Sequence, residues 1–303
     1  MTRPPRRRAA APAPALAVAV ALALALALAA CRASDAPRPP DTAPAAPTGA
    51  APGTPVSGPA SLVATVVRSH PHDPAAFTEG LFFLDGRLFE STGLEGKSDV
   101  REVDLATGAV KRRTPLDAAY FGEGIAALGG TLYQLTWKSG RAFTYDAATL
   151  QRRPATFAYT GEGWGMTTDG ESLVMSDGTA RLRFLDPATF AVRRTVDVHD
   201  GPSPVSQLNE LEWVKGEILA NVWQSTQIVR IDPKTGAVTA WVDAGAVPAA
   251  ADKTGREDVL NGIAYDAAAD KLYLTGKYYS RLYEVRLAGR VRRCAGRGGA
   301  PRE

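Results

Sequence analysis

A short phrase recurs five times along this chain, at intervals too regular to be chance. It reads Phe77-Thr78-Glu79-Gly80-Leu81, then Phe121-Gly122-Glu123-Gly124-Ile125, then Gly161-Glu162-Gly163-Trp164. Leu208-Asn209-Glu210-Leu211 and Leu260-Asn261-Gly262-Ile263 complete the series. Counted from positions 79, 123, 162, 209 and 261, the gaps are 44, 39, 47 and 52 residues. A period of that size is the mark of one supersecondary unit repeated, each copy burying its neighbour's apolar face.

Between the phrases the pattern is β throughout. Short apolar runs alternate with Gly, Asp and Asn turns, and no useful length of helical periodicity appears. In the first unit Gly80–Leu84 is a strand, Asp85-Gly86 is a hairpin turn, and Arg87–Ser91 returns. Val100–Asp104 is a third strand, and Thr107-Gly108 leads into a polar fourth. The third-strand aspartates recur as Asp104, Asp146, Asp186 and Asp232, each followed by a Thr-containing turn. Capping that turn through the side chain is the expected role of these aspartates.

The fifth unit, Gly262–Asp266, Lys271–Thr275 and Arg281–Leu287, lacks a fourth strand. Ser61–Arg68 is an apolar strand that belongs to no unit. A ring solves both problems at once. The predicted fold class is all-β, a five-bladed β-propeller whose N-terminal strand completes the last blade and closes the circle. Closure also removes exposed sheet edges. A two-sheet sandwich accounts for the strand number but not for the repeat.

About 225 residues, 62–287, carry this pattern, enough for one large core. The flanks differ. Residues 1–30 open with Arg3, Arg6, Arg7 and Arg8, continue as an Ala/Leu/Val run, and end in Leu28-Ala29-Ala30-Cys31. Basic start, apolar middle and small residues before a cut describe an export signal. The ending resembles the lipobox of bacterial lipoproteins, which implies lipidation of Cys31, an anchor in the membrane and a body on the periplasmic side of the cell envelope. A single-pass anchor with an unmodified Cys31 is the other reading. Residues 31–60 are rich in Ala and Pro and read as an extended tether. Residues 288–303 read as a disordered basic tail. The only other cysteine is Cys294, so lipidation of Cys31 would leave no intrachain disulfide.

Charge excludes one class of partner. Without residues 1–30, the 35 basic groups fall by four Arg and nearly match the 32 acids, which gives no electrostatic case for nucleic acid. His70 and His72 straddle Pro71, and His199 is alone, so no metal-ligand spacing is present and no metal or other cofactor is expected. A serine-nucleophile elbow and a phosphate-cradling Gly loop are also absent.

In a meander blade, the residues opening strand one and those ending strand two share a rim. That places Phe77, Glu79, Glu123, Trp164, Asn209 and Asn261 beside Trp137, Trp223 and Lys277. Tryptophans can pack between blades for structural reasons, and a Lys is ordinarily solvated. Aromatic walls with a few convergent polar groups are nevertheless how small-ligand pockets are built.

These residues carry a resemblance. His72–Leu81, Glu90-Ser91-Thr92-Gly93, Phe121–Gly124, Leu135-Thr136-Trp137, Glu162–Gly165, Leu208–Glu212, Ala220–Trp223, Leu260–Ala264 and Thr275-Gly276-Lys277 resemble, in the same order, the glutaminyl-peptide cyclotransferases of plant and bacterial type. The resemblance spans residues 62–287. It implies a five-bladed propeller that closes N-terminal glutamine into pyroglutamate, releases ammonia and needs no zinc. By matching motif, it implies Glu123 as the proton-carrying catalytic residue. Trp137, Trp164 and Trp223 become aromatic walls, Phe77 a further pocket aromatic, and Asn209 and Lys277 groups that steady the substrate amide or a developing oxyanion. The partner implied is a peptide or protein with N-terminal Gln, met by a monomer.

Two departures stand out. The family usually reads Phe-Thr-Gln-Gly where this chain has Glu79, and a carboxylate there is expected to pair with the substrate amine. After Thr275-Gly276-Lys277 the family usually continues Trp-Pro, whereas Tyr278-Tyr279-Ser280 follows here. The competing function is a non-catalytic envelope propeller that binds peptides or protein partners. The glycines around Glu123 are read as a turn and as room for a substrate backbone.

Overall fold

The hairpins are set by local chemistry. Asp85 and Gly86 both take positive φ (50° and 72°), which matches the twist of the strands they join. The computed structural model describes residues 58–289, and the leader, Cys31, the tether to residue 57 and the tail from residue 290 lie outside them. The described residues are all-β apart from one short 3-10 turn, Ala250–Asp252.

Strand β1 is Ala60–Pro71. The first antiparallel set is β2 (Thr78–Leu84), β3 (Arg87–Thr92), β4 (Asp99–Val103) and β5 (Val110–Pro115). The second is β6 (Gly122–Leu128), β7 (Thr131–Thr136), β8 (Arg141–Asp146) and β9 (Arg152–Ala158). The third is β10 (Met166–Thr168), β11 (Leu173–Met175), β12 (Arg181–Leu185) and β13 (Val192–Asp197). A two-residue hairpin follows, β14 (His199–Asp200) with β15 (Ser203–Pro204), which the repeat did not foretell. The fourth set is β16 (Leu208–Val214), β17 (Glu217–Val222), β18 (Gln227–Ile231) and β19 (Val238–Asp243). The last strands are β20 (Leu260–Asp266), β21 (Lys271–Gly276) and β22 (Arg281–Gly289), the last taking in the first two residues of the expected tail, 288 and 289.

Strand β1 lies antiparallel to β22, pairing Leu62 with Gly289 at one end and Pro71 with Arg281 at the other. It also pairs in parallel with β19 over Ala60–Val63. The fourth and fifth sets therefore form one sheet in the order β16-β17-β18-β19-β1-β22-β21-β20.

Burial grades across each set. In β2, β6, β16 and β20 the first five residues are all buried, whereas the outer strands β5, β9 and β13 are mostly exposed. The inner strands touch in cyclic order: β2 with β6, β6 with β10, β10 with β16, β16 with β20, and β20 with β2. The apolar clusters follow the same order. Phe82, Phe89 and Val100 of the first set pack on Ile125, Leu132 and Phe143 of the second. Leu135 and Ala142 pack on Met166 and Leu173 of the third, and Phe184 packs with Leu211 and Ile218 of the fourth. Leu219 and Val242 meet Ile263 and Tyr283 of the fifth, and Tyr273 and Leu282 meet Leu81 and Leu88 of the first.

The recurring aspartates do cap turns. Asp104, Asp146 and Asp186 each accept from the amides two and three residues on and from the Thr hydroxyl. Asp232 accepts from the Lys234 and Thr235 amides.

Candidate active site

The repeated phrase is a break in register. In β2, β6, β16 and β20 the pairing with the next strand slips by one residue, at Thr78/Gly80, Gly122/Ile125, Leu208/Leu211 and Leu260/Ile263. An extra residue in one strand bends it and re-aims a side chain. The residues at these bulges include Glu79, Glu123, Asn209 and Asn261, all buried. The third unit differs. Glu162-Gly163-Trp164 precedes β10, and this segment is held by Gly163 N donating to Trp137 O (2.9 Å) and Gly165 N donating to Ser176 Oγ (2.7 Å).

The glycines around Glu123 serve a different purpose from the one expected. A Cβ on Gly122 would lie 2.8 Å from Thr92 O, and one on Gly124 would lie 2.5 Å from Met166 N. Gly124 N donates to Trp164 O at 2.7 Å. Gly124 lets β6 meet the backbone leading into β10, and Gly122 fits against the Gln134 side chain and the Thr92 carbonyl, so the space beside both is filled by the protein itself. A substrate backbone has no room there.

One cavity of about 280 Å³ opens at this rim. Phe77, Glu79, Glu123, Trp137, Trp164, Asn209, Trp223 and Lys277 all line it. Phe121, Gln224, Asp258 and Val259 line it as well. Phe77 meets Phe121 edge-on at 6.0 Å between ring centroids, and Phe121 leans on Trp137 at 5.6 Å. Trp164 and Trp223 form a second edge-on pair at 5.4 Å. Glu162 joins the two groups, accepting from Trp137 Nε1 at 2.8 Å and from Trp164 Nε1 at 2.9 Å.

The polar floor is a linked cluster. Lys277 Nζ lies 2.8 Å from Glu79 Oε1 and 4.4 Å from the centre of the Phe77 ring. Asn261 Nδ2 donates to Glu79 Oε2 (3.2 Å) and to Thr78 O (3.0 Å). Glu123 lines the same floor as Glu79, close enough for each to act on the other's proton affinity. Burial pushes Glu123 well above the usual carboxylate range, and the adjacent Glu79 charge adds to the effect. Burial also lifts Glu79, to about 7, against the pull of Lys277. Asn209 is 3% exposed, and its Oδ1 has no hydrogen-bond partner within the protein. A buried acceptor facing a cavity is suited to a ligand N–H.

Glu79 and Lys277 are thus each other's partner inside the protein. Tyr278, the first residue of the divergent segment, packs edge-on against Phe77 at 5.1 Å.

Comparison with known proteins decides the family. The family model for glutamine cyclotransferase matches residues 41–287. The chain belongs to that family. A glutaminyl-peptide cyclotransferase of Arabidopsis thaliana is 44% identical over 225 residues, covering 73% of this chain and 70% of the relative. The crystal structure of Myxococcus xanthus glutaminyl cyclase is similar at 40% identity and a TM-score of 0.72, covering 76% of this chain and 99% of that one.

In this chain, sequence reasoning left five residues of the site unassigned. Phe121 stood in the repeated phrase, and its place between Phe77 and Trp137 follows from the rim argument. Glu162 and Asn261 also stood in the phrase, but what they bind depends on rotamers. Asp258 and Gln224 sit beside rim residues and carried no signal. Among the described residues no group of three His, Cys, Asp or Glu is arranged to hold a metal. His72 is buried, with Nδ1 2.8 Å from Tyr279 O and Nε2 3.1 Å from Glu90 Oε1.

Proposed function

We propose that the chain is a glutaminyl-peptide cyclotransferase, converting N-terminal glutamine of a peptide to pyroglutamate with release of ammonia. The observation that carries this reading is Glu123, a buried carboxyl of raised proton affinity on the floor of an aromatic cavity. The α-amine attacks the side-chain amide carbon, a C–N bond forms, and the bond to the amide nitrogen breaks. The amine must lose one proton and the leaving nitrogen must gain one, so no net proton is consumed. One carboxyl placed between them can do both. The α-amine titrates near 7.7–8.0 and attack is intramolecular, so proton movement and geometry are what the protein supplies.

In this reading Trp137, Trp164, Trp223 and Phe77 enclose the glutamine side chain. Asn209 Oδ1 accepts from a substrate N–H. The Lys277 charge, shared with Glu79, lies close enough to the floor to favour a developing oxyanion. No metal takes part. The fold is read as a five-bladed propeller, the fifth blade completed by β1, because the inner strands and the apolar clusters both run in one cycle. Residues 1–30 are read as a lipoprotein signal whose removal leaves a monomeric body tethered through lipidated Cys31 on the periplasmic side. Labelling with a fatty acid, lost in Cys31→Ser, tests that.

Glu123→Gln is expected to lower ammonia release from a Gln-initiated dipeptide by about 10²- to 10⁴-fold. Chelators are expected to leave the wild type unchanged. Binding of the dipeptide by the wild type without ammonia release would instead support the binding-module function.

A further inference from the structure

A bulge leaves its extra residue outside the strand ladder, so a buried carbonyl there needs another partner. At the Glu123 bulge three successive residues find partners in neighbouring sets of strands. Gly122 N donates to Ser98 Oγ at 2.9 Å, and Gly124 N donates to Trp164 O at 2.7 Å. Between them, Ser91 Oγ donates to Glu123 O at 2.5 Å. Ser91 is itself held. Gln134 Nε2 donates to Ser91 Oγ at 2.9 Å, and Tyr145 OH donates to Gln134 Oε1 at 2.7 Å. Ser91, Gln134 and Tyr145 are all fully buried. The chain of hydrogen bonds thus runs from β8 through β7 to β3, and from there to the carbonyl of Glu123 on β6.

The Asn209 bulge is built in the same way. Ser176 Oγ donates to Asn209 O at 2.7 Å and accepts from Gly165 N at 2.7 Å. Ser91 lies on the second strand of the first set, opposite Gly80, and Ser176 directly follows the second strand of the third set and bonds to Gly165. Each serine therefore occupies the same place in its set and reaches across to the next inner strand. The other serine hydroxyls that donate to backbone in the described residues do so to the Leu94, Val222 and Asp252 carbonyls, none of them a bulge residue. The two bulges held by a serine are the ones that carry Glu123 and Asn209.

We propose that Ser91 and Ser176 are positioning residues of the site: Ser91 holds the Glu123 bulge and Ser176 the Asn209 bulge, each from the preceding set of strands, so that the two side chains stay aimed into the cavity. The inference rests on the cyclotransferase reading for its kinetic consequence. Neither serine lines the cavity, so each acts through the residue it holds. Glu123 moves a proton between two nitrogens, and a displaced carboxyl slows that step while the aromatic walls still enclose the glutamine side chain. Asn209 accepts from the bound substrate, so its displacement weakens binding first. The two serines therefore govern different kinetic constants.

Steady-state kinetics on a Gln-initiated dipeptide separate the two. Ser91→Ala is expected to lower kcat about tenfold and to leave KM within about twofold of wild type. Ser176→Ala is expected to raise KM about fivefold with a smaller change in kcat. Variants that lose thermal stability yet keep wild-type kcat and KM per folded molecule would show a structural role alone, and that result overturns the proposal. If Ser91→Ala does not fold, Tyr145→Phe takes its place. Loss of that hydroxyl frees the Gln134 amide, and kcat is expected to fall about threefold at unchanged KM. An unchanged kcat there overturns the proposal. Amide hydrogen exchange is a second readout that needs no turnover. The Gly122–Ile125 amides are expected to exchange about tenfold faster in Ser91→Ala, and the Leu208–Leu211 amides in Ser176→Ala, each with the other segment unchanged. Wild-type exchange at both segments overturns the proposal. A wild-type protein that releases no ammonia would instead sink the cyclotransferase reading, and the exchange result stands apart from that outcome.

Discussion

Glu162 holds two walls of the cavity with one carboxylate oxygen. Trp137 and Trp164 both donate to Oε2, although the side chain is 39% exposed. Among the side-chain hydrogen bonds of the described residues, no other residue joins Trp137 to Trp164. Hydrogen bonds to a charged group contribute about 1.5–3 kcal/mol when buried, and exposure here reduces that. Glu162→Ala is expected to raise KM several-fold with a smaller effect on kcat, and to shift tryptophan fluorescence. An unchanged KM would show that the walls stand without it. At this scale the sequence was informative about residue type and rim position, and silent about partners. The convergence of Glu123 with three tryptophans followed from the repeat. The pairing of Glu79 with Lys277 did not, because a one-dimensional pattern cannot say which of two nearby acids a lysine chooses.

The useful unit at the next scale is the bulged inner strand. Position 79, position 123 and their counterparts repeat because each supplies the extra residue, or its neighbour, that turns a side chain toward the rim. Strand positions were legible from short apolar runs set between Gly, Asp and Asn turns. The slip in register was not, because a bulge adds a residue without changing composition. Positive φ at Leu150 and Phe190 (both 61°) was equally hidden, since the equivalent turn positions elsewhere are Gly108 and Gly236. The parallel pairing of β1 with β19 was also unforeseen.

The junction ahead of β2 is pinned by His72, whose ring contacts Glu90 on β3 and the Tyr279 carbonyl beyond β21. Burial lowers the proton affinity of His72, but Glu90 outweighs it and the net shift is upward. Burial works against ionised Glu90, but His72 outweighs it and the net shift is downward. The histidine contribution is complete below its unfolded value of 6.5 and fades as pH rises through the folded value. The Glu90 contribution is complete above 4.5 and fades as pH falls through the folded value. His72→Ala is therefore expected to cost most between those two pH values. The cost should be about 3 kcal/mol, or roughly 6–12 °C in Tm, read by thermal unfolding. A cost independent of pH would mean that the pair is not ionised.

Seen whole, the described residues form β-sheets whose inner strands touch in cyclic order, and one of those strands, β16, carries two further buried acids. Glu210 accepts from Ile263 N (2.8 Å) and Leu81 N (3.3 Å), and Glu212 accepts from Tyr265 N (2.8 Å). Burial raises both well above the usual range. A proton is therefore held in the folded state that the unfolded chain releases near 4.5. Stability falls as pH rises above that value, by up to about 1.4 kcal/mol per pH unit for each group until its folded value is reached. Gln at position 212 can keep the acceptor without titrating. The stability of Glu212→Gln minus that of the wild type is expected to grow as pH rises from 5 to 8 in denaturant unfolding, whereas parallel curves would show Glu212 to be ionised in the fold.

The central claim is that this cavity turns over N-terminal glutamine through Glu123. A Gln-initiated peptide incubated with the wild type and followed by mass spectrometry tests it most directly. The expected result is loss of one ammonia far faster than from the peptide alone, with that acceleration gone in a folded Glu123→Gln variant. Ammonia loss no faster than the uncatalysed background, or undiminished turnover by Glu123→Gln, would contradict it.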